Sequence, residues 1–139
     1  MGMHSIVLGF DFGLRKIGVA IGQPITKTAT PLPLLKAENG VPHWQHIQDI
    51  IDEWGVKALI VGLPLNMDQT EQPITQKAKQ FGESLKKQFG LPVFFVDERL
   101  TTIAAKADIH EVITSKKRFA PADGHSARLI VESWLAQEK

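Results

Sequence analysis

No cysteine occurs among the 139 residues, so neither a disulfide framework nor a zinc–thiolate site can be built, a composition that fits a reducing compartment. No apolar run approaches the roughly 20 residues that a membrane-spanning helix needs, and no membrane contact is expected. The opening "MGMHSIV" has no basic segment leading into a long apolar stretch, so no signal peptide is expected and a cytoplasmic location is. Net charge is nearly absent too: 16 Lys and Arg against 15 Asp and Glu leave +1. That excludes a globally basic polyanion binder, and any nucleic acid must be held by local clusters such as "SKKR", Ser115 to Arg118. Internal repeats, low-complexity segments and linkers are also missing, which with the chain length predicts one domain over 1–139. What remains is an ordinary globular balance, 43% apolar and 22% charged, with enough chain to bury a core.

Hydrophobic periodicity orders that chain. Ser5 to Phe10 is a short apolar run that ends on an acid, Asp11, and turns at Gly13. Ile17 to Ile21 follows so closely that the two strands must pair antiparallel. A third strand is predicted over Thr28 to Leu35, its prolines confining it to an edge. The period then changes. Trp44, Ile47, Ile50, Ile51 and Trp54 repeat at helical spacing and Gly55 closes the run. Lys57 to Val61 is a buried strand, Ile74, Ala78, Phe81, Leu85 and Phe89 mark a helix stopped by Gly90, and "PVFFVDE" is another strand. Ile103, Ala107 and His110 suggest a further helix, and Ala127, Ile130, Val131 and Trp134 a terminal one. A meander followed by alternating helices and strands predicts an α/β fold with a mixed five-stranded sheet flanked by helices.

Two buried strands end in carboxylates: the first in Asp11, "VFFV" in Asp97 and Glu98. Ligands gather at the carboxyl ends of parallel strands, so if these two are parallel neighbours Asp11 meets one acid of the pair. Asp123, in "PADGHSARLIVESWL", precedes the terminal helix. Each acid has a plain structural explanation: a turn residue, a surface ion pair with Arg99, or an N-cap. Taken together they repel one another unless a hard cation such as magnesium or manganese joins them. Two such ions about 4 Å apart catalyse in-line phosphodiester displacement.

"GFDFGLRKIGVAIG", "IVGLPLNMDQT", "VDERLTT" and "DGHSARLIVESWL" resemble the four signature blocks of the YqgF family, also called RuvX, over nearly the whole chain. The resemblance implies a ribonuclease H-like fold and a metal-dependent endonuclease. Its three acids fall on Asp11, Glu98 and Asp123, so it is the resemblance that selects Glu98 over Asp97 as catalytic and metal-binding. It implies Mg2+ or Mn2+ as cofactor. The implied substrate is structured RNA, the 5′ end of pre-16S rRNA in ribosomal precursor particles, or else branched, four-way DNA. Leu14, Lys16, Gln23 and Gln69 depart from the usual pattern, and they bear on the shape of the substrate groove rather than on the acids.

Around the acids stand candidate nucleic-acid contacts: Arg15, Lys16 and Arg99 just past the acid-bearing strand ends, Asn66 in "GLPLNM", and Lys116, Lys117 and Arg118 in the basic segment before Asp123. Gly62 permits close approach of a phosphate backbone. The tryptophans fall on apolar faces and are expected in the core. Three other functions compete. Nucleotide binding needs a phosphate loop, but Val19 and Ala20 follow Gly18 where a Walker A motif requires Lys and Ser or Thr. A non-catalytic nucleic-acid-binding module would not need three acids. A junction resolvase should act as a symmetric dimer, and no dimer surface is evident, which leaves a monomer or a weak homodimer as the expectation.

Overall fold

A computed structural model describes residues 5–64, 72–97 and 125–137 of the chain. β1 (Ile6–Asp11) and β2 (Lys16–Gln23) form an antiparallel pair in which Asp11 stands opposite Gly18. β3 (Thr28–Glu38) continues the meander on the far side of β2 and runs three residues beyond the predicted end. Its Pro31 and Pro33 lie in the part of β3 that no described strand flanks on the outer side, as residues without an N–H require.

The sequence predicts five strands; among the described residues the sheet has six. The extra strand, β4 (Val41–Pro42), is two residues long and pairs with Ala37 and Glu38. It is produced by Asn39 and Gly40, both at positive φ (52° and 83°), the two-residue reversal whose twist suits a hairpin.

α1 (Trp44–Trp54) buries Ile47 and Ile51 and stops at Gly55, whose φ of 67° lets its N–H reach the Ile51 carbonyl. β5 (Val56–Leu63) then runs parallel to β1. α2 (Pro73–Phe89) starts with a proline that has no N–H to leave unsatisfied, and with reciprocal capping between Gln72 and Thr75. Its buried face carries Ala78, Phe81 and Leu85, and Ile74 and Phe89 are half-buried on the same core. β6 (Val93–Asp97) is parallel to β5, and α3 (His125–Gln137) is the terminal helix. The helix suggested by Ile103, Ala107 and His110 lies outside the described residues.

The strand order is β4-β3-β2-β1-β5-β6. The two strands that carry acids at their carboxyl ends, β1 and β6, are therefore parallel but not neighbours. β5 separates them, and two strand spacings put them about 10 Å apart.

Both faces of the sheet are covered, which is why its central strands are continuously apolar. On one face Leu8, Phe10, Ile17, Leu59 and Val61 pack with Phe81 and Leu85 of α2 and Ile47 of α1. On the other, Val7, Ala20, Ile60 and Val96 pack with Ala127, Ile130, Val131 and Leu135 of α3. Trp44 and Trp54 are half-buried against the first core and Trp134 against the second, as expected of core tryptophans.

Candidate active site

Asp11 is the last residue of β1 and is half-buried. Its neighbours hold it in place. Phe10 is fully buried and Phe12 is 8% exposed; both rings pack on Phe81, at centroid distances of 5.4 and 5.2 Å. The acid is thus pinned between two aromatic anchors that point to the α1–α2 side. Alternation sends Asp11 the other way, to the α3 face with Val7 and Gly9.

The chain then reverses in four residues, Phe12 to Arg15. Gly13 is required there, because a Cβ would overlap the Lys16 carbonyl. The turn is tied down by the β3–β4 hairpin: the Gly40 N–H donates to the Leu14 carbonyl (2.9 Å) and the Ala37 N–H to the Arg15 carbonyl (2.8 Å). Arg15, the last residue of the turn, and Lys16, the first of β2, are exposed.

α3 is oriented by glycines. A Cβ on Gly9 would overlap Val131, and its next contact would be the Ala127 carbonyl oxygen at 3.8 Å. A Cβ on Gly22 would also overlap Val131 and would reach Leu135 at 3.5 Å. Gly22 pairs with Val7 near the start of β1, whereas Gly9 lies near its end. The helix therefore runs antiparallel to β1 and begins at the edge where Asp11 sits, so its positive dipole end faces that edge.

The same edge receives the ends of β5 and β6. Gly62 follows Val61, the partner of Phe10, and Asp97 pairs with Leu63. Alternation separates the acids of this edge. Phe94 meets Trp134 at 5.4 Å and Val96 packs with α3, while Val93 and Phe95 lie towards α2, where Phe95 closes on Gly82. Asp97 shares the face of Phe95, with its partner Leu63, and is on the opposite side of the sheet from Asp11.

Of the predicted site residues, Asp11, Arg15 and Lys16 are described and lie at the same end of the β1–β2 hairpin. Asn66, Glu98, Arg99, Lys116, Lys117, Arg118 and Asp123 lie outside the described residues. Among the described residues no group of three or more His, Asp or Glu could hold a metal ion. The Asp11 carboxylate, a hard oxygen donor on a fixed strand end, suits a hard dication. The sequence reading passed over Lys36, His43 and His46, which line a groove with Arg15 and Lys16. The signal was "ENGVPH", the β3–β4 reversal that turns the chain back towards His43, while the β2–β3 pairing sets Lys36 opposite Lys16.

A meander joined to parallel strands, helices on both faces, and an acid at the end of the first strand define a ribonuclease H-like protein. Solved structures agree on the fold. RuvC from T. thermophilus in complex with a Holliday junction substrate matches with a TM-score of 0.63 at 15% identity, covering 96% of this chain and 94% of that one. The fowlpox virus resolvase with Holliday junction DNA matches with a TM-score of 0.51 at 12% identity, covering 94% and 97%. Sequence relatives are nearer. A protein of Coxiella burnetii (strain RSA 493 / Nine Mile phase I), named as a candidate pre-16S rRNA nuclease, is 48% identical over 98% of this chain and 96% of its own. One of Actinobacillus pleuropneumoniae serotype 7, similarly named, is 52% identical over 96% and 98%. The family model for RuvX, described as Holliday junction resolvase, matches residues 5–137, and the chain belongs to that family.

Proposed function

We propose that this protein is a metal-dependent endonuclease that hydrolyses phosphodiester bonds, and that its substrate is the 5′ end of pre-16S rRNA in ribosomal precursor particles in the cytoplasm. The observation that carries the reading is the position of Asp11: a carboxylate on a rigid strand end, on the α3 face, at the edge where β5 and β6 also end and where α3 begins. The names of relatives near 50% identity supply the substrate.

Asp11, Glu98 and Asp123 would hold Mg2+ or Mn2+. The fold favours this choice among the acids. Asp97 belongs to the α2 face, so of the Asp97–Glu98 pair the one suited to work with Asp11 is Glu98. Asp123 stands two residues before His125, the first residue of α3, and α3 starts at the Asp11 edge. Held there, such a dication would supply polarisation of the phosphodiester and a more acidic attacking water. The chain's own contribution is to fix the carboxylates, to leave Gly62 without a side chain beside Asp11, and to offer Arg15, Lys16, Asn66, Arg99 and the Lys116–Arg118 segment to phosphates. Among the described residues no helix is long and apolar enough to cross a membrane.

A second reading is cleavage of four-way DNA, favoured by the family description and by the RuvC-like fold. It calls for a symmetric dimer, whereas the RNA reading works with a monomer or a weak homodimer. The test is cleavage of a pre-16S precursor and of a four-way junction side by side, with and without magnesium, with Asp11→Asn as control. Magnesium-dependent cutting of the RNA at a defined 5′ position is expected. Cutting of the junction alone would select the second reading, and no cutting of either would reject both.

A further inference from the structure

The geometry points to a second nucleic-acid subsite: a groove of about 1150 Å³ between the β1–β2 turn, β3, β4 and the start of α1, which holds the sugar–phosphate backbone of the single strand flanking the scissile bond. The inference rests on the nuclease reading for its substrate; it shares Arg15 and Lys16 with that reading and adds Lys36, His43 and His46.

Charge is the first reason. Arg15, Lys16, Lys36, His43 and His46 line the groove, and Glu38 is the single carboxylate among its described lining residues. In a chain of net charge +1 such a concentration is local rather than a reflection of composition.

Register is the second. Lys16 and Lys36 are direct cross-strand partners on β2 and β3. Like charges placed opposite one another destabilise a sheet, and a bound anion between them removes that cost. Ile17 and Leu35, the next pair, are buried on the α1–α2 side, so alternation assigns both lysines to the α3 face, the face of Asp11. Lys16 is two residues from Gly18, the partner of Asp11. Acid, first lysine and second lysine thus step outward across one sheet face towards its β4–β3 edge, and both lysines are among the residues that line the groove at that edge.

The lining also indicates how a strand would be read. Leu34, Leu35, Ala37, Val41 and Pro42 offer an apolar floor, and among the described lining residues the aromatic rings are His43 and His46, packed on each other at 5.3 Å. Without Phe, Tyr or Trp to stack bases, recognition falls to phosphates, and binding should depend on salt more than on sequence.

The test measures binding of labelled oligouridylate, oligoadenylate and oligothymidylate of about twelve nucleotides to the full chain in chelator across a salt series. Lys36→Glu should weaken binding of the RNAs at least tenfold, with no loss of thermal stability, because it turns a repelling pair into an attracting one. Lys36→Ala should lower the slope of log affinity against log salt by about 0.7, the value of one single-strand phosphate contact. His46→Ala, on the exposed side of α1, has no strand partner to disturb and should weaken binding as well. Unchanged affinity and parallel salt lines in all three variants would overturn the subsite. So would poly-glutamate displacing RNA as effectively, charge for charge, as RNA displaces itself, which would assign the groove to an acidic protein. Thymidylate binding more tightly than uridylate would overturn the RNA assignment. A wild-type protein that cleaves nothing with magnesium, yet loses binding in the variants, would remove the nuclease reading and leave the groove standing.

Discussion

Asp11 and Asp97 end parallel strands at one edge of the sheet but belong to opposite faces, Asp11 with α3 and Asp97 with α2. Two neighbouring acids at a strand end are therefore expected to differ sharply in their effect. Glu98→Gln and Asp11→Asn should each lower the cleavage rate by about 100-fold or more, since the charge stabilisation lost is several kcal/mol and about 1.4 kcal/mol is tenfold. Asp97→Asn should stay within about tenfold of wild type, short of that 1.4 kcal/mol. Single-turnover rates on one RNA substrate decide it; a severe defect in Asp97→Asn with a normal Glu98→Gln would reverse the assignment.

Thermal unfolding gives a check that needs no substrate. A dication that binds only the native state raises the melting temperature as its concentration exceeds Kd. Magnesium or manganese should stabilise the wild-type protein. Asp11→Asn should lose that response while melting no lower than wild type in chelator, because removing one charge relieves repulsion among the acids. A mutant that melts much lower without metal would show Asp11 to be structural.

The close seat of α3 makes a prediction about packing. Gly9 has no space for a Cβ beneath Val131, a residue that is itself fully buried. Gly9→Ala must push the helix outward and should cost about 1–3 kcal/mol, the usual penalty for an overfilled core. Because α3 begins at the Asp11 edge, activity should fall in the same variant. Restoring space with Val131→Ala in the Gly9→Ala background should recover part of both losses. Chemical denaturation of the single and double variants measures the coupling; strict additivity of the two changes would mean the residues do not share the space.

These relationships were unevenly legible in the sequence. The continuously apolar runs and the helical periodicity marked β1, β2, β5, β6, α1, α2 and α3, because each buries a surface long enough to leave a pattern. β4 leaves none: two residues have no periodicity, and only the Asn39–Gly40 reversal betrays the hairpin. Strand order is non-local. Nothing in "VFFVDE" tells that β5 lies between it and β1, or that Asp97 faces α2, since one residue of register exchanges the two faces. For the same reason Lys16 and Lys36, twenty positions apart, could not be paired by inspection. Asp11 was visible because it ends an apolar run; the groove was not, because only the folded hairpin assembles it.

That hairpin also carries the last prediction. Gly40 sits at φ 83°, and a Cβ there would meet the Phe12 ring carbon Cζ at 2.7 Å. Phe12 is buried against Phe81 and cannot swing aside without opening the core. Gly40→Ala therefore combines backbone strain of about 1–2 kcal/mol with a collision. Asn39→Ala imposes comparable left-handed strain at φ 52°. Gly40→Ala should be the more destabilising of the two. It should also be the one that slows cleavage, because the Gly40 N–H holds the Leu14 carbonyl in the turn that follows Asp11. Denaturant midpoints and cleavage rates for the two variants separate strain from collision. Equal midpoints and equal rates would show that Phe12 yields to the added methyl group, and that the hairpin does not position the turn beside Asp11.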